Sequence, residues 1–155
     1  MRKFIITTVL ALLPTLFFAQ SAFDKFSEMD DVTMVVINKK TFDLFDQLKL
    51  KMDEKTEKYI RQVTNINNFK MFSTSSTKIS EEMKETFDTY RKKQNLEPLV
   101  SIKHEGNNIN IYVKSDNDSS KVSEFLMFLE GGDKKGDQTV LLSLTGDFDL
   151  AALDK

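Results

Sequence analysis

Between Thr77 and Lys114 the spacing of apolar residues changes once, from a helical period to an alternating one, and this change restricts the fold most. Ile79, Met83, Phe87 and Tyr90 recur at intervals of four, four and three, which predicts an amphipathic helix from Thr77 to about Asn95. Glu81 and Glu82 stand in its early turns and Arg91, Lys92 and Lys93 in its last, as the helix dipole favours. Leu99–His104 and Ile109–Lys114 then flank the turn-rich Glu105-Gly106-Asn107-Asn108 and read as a hairpin. In its second arm Ile109, Ile111 and Val113 alternate with Asn110, Tyr112 and Lys114, which predicts a buried apolar face and a wetted polar one. In the first arm Val100, Ile102 and His104 share a face. A hairpin directly after a helix breaks any β-α-β repetition, so a purely parallel sheet is excluded.

The flanking segments extend this pattern. Ser21–Asp30 predicts a short helix carrying Phe23, Phe26 and Met29, and the β-branched run Val32–Ile37 predicts an interior strand. Thr41 is the expected cap of a helix bearing Phe42, Phe45 and Leu48, and Asp53 that of a helix bearing Thr56, Tyr59, Ile60 and Val63. A strand over about Asn68–Thr74 follows, with Phe69 and Met71 on one face and Phe72 on the other. After the hairpin, Asp118 is the expected cap of a helix with Val122, Phe125, Leu126 and Leu129, stopped by Gly131-Gly132. A loop over Asp133–Asp137 leads to a last strand, Thr139–Thr145, with a turn at Gly146 and a terminal helical turn through Leu150 and Leu153 capped by Asp147 or Asp149. The expected fold is therefore α+β: a mixed or mainly antiparallel sheet of about five strands packed against four or five helices.

The N-terminus predicts export. Met1-Arg2-Lys3 is basic, Phe4–Phe18 is a short apolar run interrupted by Pro14, and Ala19-Gln20-Ser21-Ala22 ends it, the three parts of a secretory signal. The run is shorter than the roughly 20 residues a membrane span needs. Cleavage after Ala19 is expected first and after Ala22 second, with an uncleaved anchor as the alternative. Residues 1–19 then form a signal peptide and 20–155 one domain, long enough for a single core. The chain has no cysteine, which excludes disulfides, thiolate metal sites and a cysteine-linked lipid anchor, so the core itself must stabilise the fold. Beyond the signal, 20 basic and 24 acidic residues are interspersed, leaving a net charge near −4 and no concentrated basic face for nucleic acid.

Candidate chemistry is sparse. His104, the one histidine, is a possible general base beside Glu105, but neighbours along a strand point to opposite faces. Asp147 and Asp149 are the other candidates for acid–base or metal work, although capping accounts for both. Asp116-Asn117-Asp118 suggests a calcium loop, but Lys121 and Met127 occupy the positions that need glycine and glutamate. No phosphate loop, dinucleotide fingerprint or nucleophile elbow is present, and no cofactor is expected.

Five segments together, Phe18–Phe23, VTMVVINKKTFDLF (32–45), LVSIKHEGNNINIYVK (99–114), SEFLMFLE (123–130) and TVLLSLTGDFDL (139–150), resemble the exported Bacteroidetes family catalogued as domain of unknown function 4252. The resemblance implies the periplasm or the extracellular side of a Gram-negative envelope, and it implies no activity, cofactor or catalytic residue. The leading expectation is a non-catalytic module that binds an envelope protein or surface component. A hydrolytic or metal-assisted enzyme using His104, Asp147 and Asp149, and a carrier of a small apolar ligand, are the alternatives.

Overall fold

The computed structural model describes residues 22–47, 65–115, 121–131 and 137–149. The signal, the helix expected from Asp53, the Asp118 cap and the turn through Leu150 and Leu153 lie outside them. A 3-10 helix, Asp24–Glu28, precedes β1 (Thr33–Asn38), α1 (Lys39–Gln47), β2 (Ile66–Thr74), α2 (Thr77–Lys93), β3 (Glu97–His104), β4 (Asn107–Ser115), β5 (Lys121–Glu130) and β6 (Thr139–Asp149). The six strands form one sheet in the order β1-β2-β6-β5-β4-β3, and every neighbouring pair is antiparallel. The α+β expectation holds in its coarse form, with more sheet than the apolar spacings suggested and, among the described residues, one long helix.

α2 forms where the sequence places it. Met83, Phe87 and Tyr90 are buried, and Ile79 packs against the same cluster. The helix carries the chain from β2 across to the far edge strand β3, so one face of the sheet receives it. Phe72, Leu141, Phe128 and Leu126 rise from β2, β6 and β5 to meet it, and Phe87 stacks on Phe128 with ring centroids 5.0 Å apart. The 3-10 helix closes one side of this core. Phe23 lies against Tyr90 at 4.9 Å and Phe26 against Phe72 at 6.0 Å. Ion pairs Lys25–Glu82 (2.9 Å), Lys70–Asp24 (2.5 Å) and Lys84–Glu130 (2.7 Å) rim the packed region.

Several local expectations need correction. The segment 122–129 is strand β5, not a helix, because it is held between β4 and β6 along its whole length and both of its faces are apolar. Gly131 accordingly follows a strand rather than capping a helix. β1 is an edge strand, largely exposed, not an interior one. The cap of α1 is Asn38, whose Oδ1 accepts from the Thr41 backbone N–H at 3.2 Å. Gly146 does not turn the chain: β6 runs on to Asp149, and glycine is needed because a Cβ there would overlap the Asn65 carbonyl.

The hairpin is correct in place, and Val113 is buried and Lys114 exposed as expected, but the polar side is not simply wetted. Tyr112 packs edge-on against Phe87 at 5.6 Å, so the Asn110-Tyr112-Lys114 side is the one that meets α2. Ile109, Ile111 and Val113 point the other way. Alternation shows that two faces differ; it does not show which of them receives the helix.

Candidate functional site

The three residues singled out for chemistry do not converge. His104 ends β3 with its side chain 79% exposed, and its Nε2 is 3.8 Å from Glu105 Oε1. The two side chains approach because Glu105 has already left the strand. Its φ is 49° and that of Gly106 is 84°, the two positive angles of a tight hairpin turn. This contact lies in solvent, where even charged pairs contribute little. Following the register from His104–Asn107 through Asn108–Glu130 and Leu129–Val140 brings His104 level with the start of β6. Asp147 stands seven residues beyond Val140 on that strand, roughly 20 Å away at the usual rise per residue. Asp149 faces Lys121 at the same far end. An acid–base site shared by His104, Asp147 and Asp149 is therefore not assembled. Among the described residues no three His, Asp or Glu side chains are grouped to hold a metal ion.

A different polar site lies beneath α2. On β5 the residues facing the helix are Glu124, Leu126 and Phe128, and all three are buried. The Tyr90 hydroxyl, from the last turn of α2, donates to Glu124 Oε1 at 2.6 Å. Across the strands Glu124 is paired with Lys114 on β4 and Thr145 on β6. Burial raises the Glu124 pKa above the usual carboxylate range, while the Tyr90 hydrogen bond and the Lys114 charge pull it back. Burial and then the Glu124 carboxylate raise the Tyr90 phenol well above its ordinary value. Thr145 Oγ1 is buried with no hydrogen-bond partner among the described residues.

Reading β5 as a helix hid this site. On a helix carrying Val122, Phe125, Leu126 and Leu129 inward, Glu124 falls outside the apolar side. On a strand it joins Leu126 and Phe128 on the inward face.

Tyr90 also lines a shallow cleft of about 550 Å³ along α2, with Ala22, Lys25, Glu82, Glu85 and Thr86 among its walls. The Glu82 carboxylate there is bound by Lys25 at 2.9 Å. Between α2 and the sheet the interior is filled by Phe72, Met83, Phe87, Leu126, Phe128 and Leu141.

The opposite face of the sheet is the more uniform one. Its middle row runs Val35, Met71, Leu142, Met127, Ile111, Val100 across all six strands, and all six are apolar. The row on one side, Ile37, Phe69, Leu144, Phe125, Val113, Glu97, has five apolar members and a charge only on the edge strand β3. The row on the other side, Thr33, Ser73, Val140, Leu129, Ile109, Ile102, has four apolar members and two hydroxyls. At the edges Val35, Val100 and Ile102 are 37%, 38% and 47% exposed. By contrast, the face beneath α2 includes Lys70, Asn68, Asn110, Lys114 and Glu124.

A family model described as Domain of unknown function (DUF4252) matches residues 26–155, from within the 3-10 helix to the last residue. No curated protein and no solved structure matches the chain. With the sheet and α2 both inside the matched span, the chain belongs to the family of domain of unknown function 4252.

Proposed function

We propose that this protein is an exported, non-catalytic binding module of a Gram-negative envelope, and that it holds a protein partner on the sheet face turned away from α2. The observation that carries this reading is the middle row of that face, apolar on every strand from Val35 to Val100. Val35 and Val100 at its ends are exposed and the four residues between them are half-buried, and an apolar patch left open to solvent is a mark of an interaction site. Export is supported by the basic, apolar and small-residue parts of residues 1–22. The buried Tyr90–Glu124 pair serves the fold, since both groups are spent on each other beneath the helix.

A photo-reactive side chain placed at Leu142, in the centre of the face, tests the proposal in intact cells. Illumination is expected to join the protein covalently to a second polypeptide chain. The same group at Glu81, on the exposed side of α2, is expected to give no such product. Absence of an intermolecular product at Leu142 would refute the reading.

A further inference from the structure

We infer that β1 pairs edge to edge with β1 of a second copy of this chain, antiparallel about a two-fold axis at Val35, joining two sheets into one. This edge is separate from the face assigned above, and the pairing stands or falls independently of that reading. Among the described residues no strand lies outside β1, which leaves the main-chain N–H and C=O groups of its outer side without partners in the sheet. The strand keeps one register along β2 and carries neither proline nor charge. Met34 and Val36 on one face and Val35 on the other are 42%, 46% and 37% exposed. Natural edge strands are guarded against pairing by charges, proline or bulges. β3, at the other end of the sheet, has all three: Glu97 and Lys103, Pro98, and a shift in register between Pro98 and Val100. One open edge per chain closes the assembly at two copies.

Charge complementarity selects the occupant and its direction. Asp30 and Asp31 precede the strand, Lys39 and Lys40 follow it, and all four are exposed. Among the described residues none of the four makes an ion pair. Asp31 and Lys39 stand at opposite ends of β1, about 27 Å apart at the usual rise, too far to meet within one chain. An antiparallel copy centred on Val35 sets Lys39 opposite Asp31 and Lys40 opposite Asp30 at both ends. A parallel copy in register would set like charges together, which destabilises. The helix that follows adds a second reason. α1 opens with the two lysines and has no acidic residue in its first turn, although a helix N-terminus favours negative charge. Asp30 and Asp31 of the second copy supply it. In the same register Val35 faces Val35, Met34 faces Val36 and Thr33 faces Ile37 of the second copy, apolar and β-branched pairs of the kind that stabilise sheets. Moving the centre to Val36 would run Thr33 into Lys39, the first residue of α1, and take the lysines off the aspartates. The contact is one strand wide, below the size of a standard interface, so the pair is expected to dissociate on dilution.

The chain has no cysteine, so single introduced cysteines report the register. Directly opposed Cα atoms of an antiparallel pair are about 4.5–5.5 Å apart, within the reach of a disulfide. Val35→Cys in the full-length gene product, purified as the cell processes it, is expected to form a disulfide-linked species of twice the chain mass under mild oxidation. Thr33→Cys alone, about 14 Å from its own copy, is expected to form none. A mixture of Thr33→Cys and Ile37→Cys is expected to link. In analytical ultracentrifugation the wild type is expected to pass from twice the chain mass to the single mass on dilution. The double variant Asp30→Lys, Asp31→Lys sets like charges together at both ends, as does Lys39→Asp, Lys40→Asp, and each is expected to sediment as single chains. An equimolar mixture of the two is expected to regain the doubled mass, an outcome that a folding defect does not produce. A wild type that stays at the single mass at every concentration overturns self-pairing. So does a Val35→Cys disulfide that forms no faster than that of Thr33→Cys.

Discussion

Phe26→Ala is expected to lower the free energy of unfolding by about 3–5 kcal/mol, the usual cost of emptying a buried phenylalanine site. Phe26 is 0% exposed and lies 6.0 Å from the Phe72 ring, with the Lys25 ammonium 5.0 Å from its centroid on the outer side. The 3-10 helix that carries it is five residues long and has no side-chain cap. Its stability therefore comes from the two phenylalanines it inserts, Phe23 and Phe26, rather than from its own hydrogen bonds. Since the whole domain is expected to be stable by only about 5–15 kcal/mol, this one substitution removes a large part of the margin. In urea unfolding the midpoint is expected to fall while the slope stays constant. Asp24 and Lys25 just before it make ion pairs at the surface, and removing either is expected to cost at most about 1 kcal/mol. A loss below about 1 kcal/mol for Phe26→Ala would show that the N-terminal turn is not part of the core, because a vacated aromatic site cannot be that cheap.

The Tyr90–Glu124 pair gives the second large effect, and its sign depends on pH. An unfolded glutamate ionises near pH 4.3, whereas burial holds the folded Glu124 carboxyl in its neutral form to higher pH. Below the unfolded value both states are protonated and the folded state carries no penalty. As pH rises, the unfolded chain releases its proton first, so the folded state loses stability until the raised pKa is passed. Glu124→Gln is expected to abolish this decline. Tyr90→Phe removes a hydrogen bond that favours the ionised carboxylate, so the decline should become steeper. At neutral pH that variant leaves a buried carboxylate short of a partner, at a cost of about 1–3 kcal/mol. Unfolding measured from about pH 4 to pH 8 spans the range in which an ordinary or raised glutamate titrates. Parallel profiles for the wild type and Glu124→Gln would contradict the assignment.

How much of this was legible in the sequence depends on whether one face or two are apolar. α2 has a single apolar stripe, Ile79-Met83-Phe87-Tyr90, and only one structure satisfies it. β5 has two. Leu126 and Phe128 face α2 while Phe125, Met127 and Leu129 face away, and such a run contains the helical spacing 122-125-126-129 as well as the alternating one. The presence of β4 and β6 on either side decides the matter, and that is tertiary information. The same ambiguity made β1 look like an interior strand: Val35 and Val36 lie on opposite faces, as in a buried strand, yet the chain order leaves β1 at the edge. The Ile109-Ile111-Val113 stripe was expected to be the buried one, and Val113 is buried, but Tyr112 and Phe128 on the other side build the contact with Phe87. Glu124 was invisible for as long as β5 was a helix. The candidates His104, Asp147 and Asp149 were legible as residue types only, since their separation follows from strand order.

The central claim, that a partner covers the apolar face opposite α2, is tested most directly by methionine oxidation read by mass spectrometry. Met71 and Met127 lie in the middle row of that face, and Met83, 0% exposed, lies in the core beneath α2. Exposed thioethers oxidise to sulfoxides under mild peroxide, whereas buried ones resist. The account predicts that Met71 and Met127 resist oxidation in intact cells and become reactive in the purified, highly diluted protein, while Met83 resists in both. Equal oxidation of Met71 and Met127 in the two states, whether high or low, would contradict it.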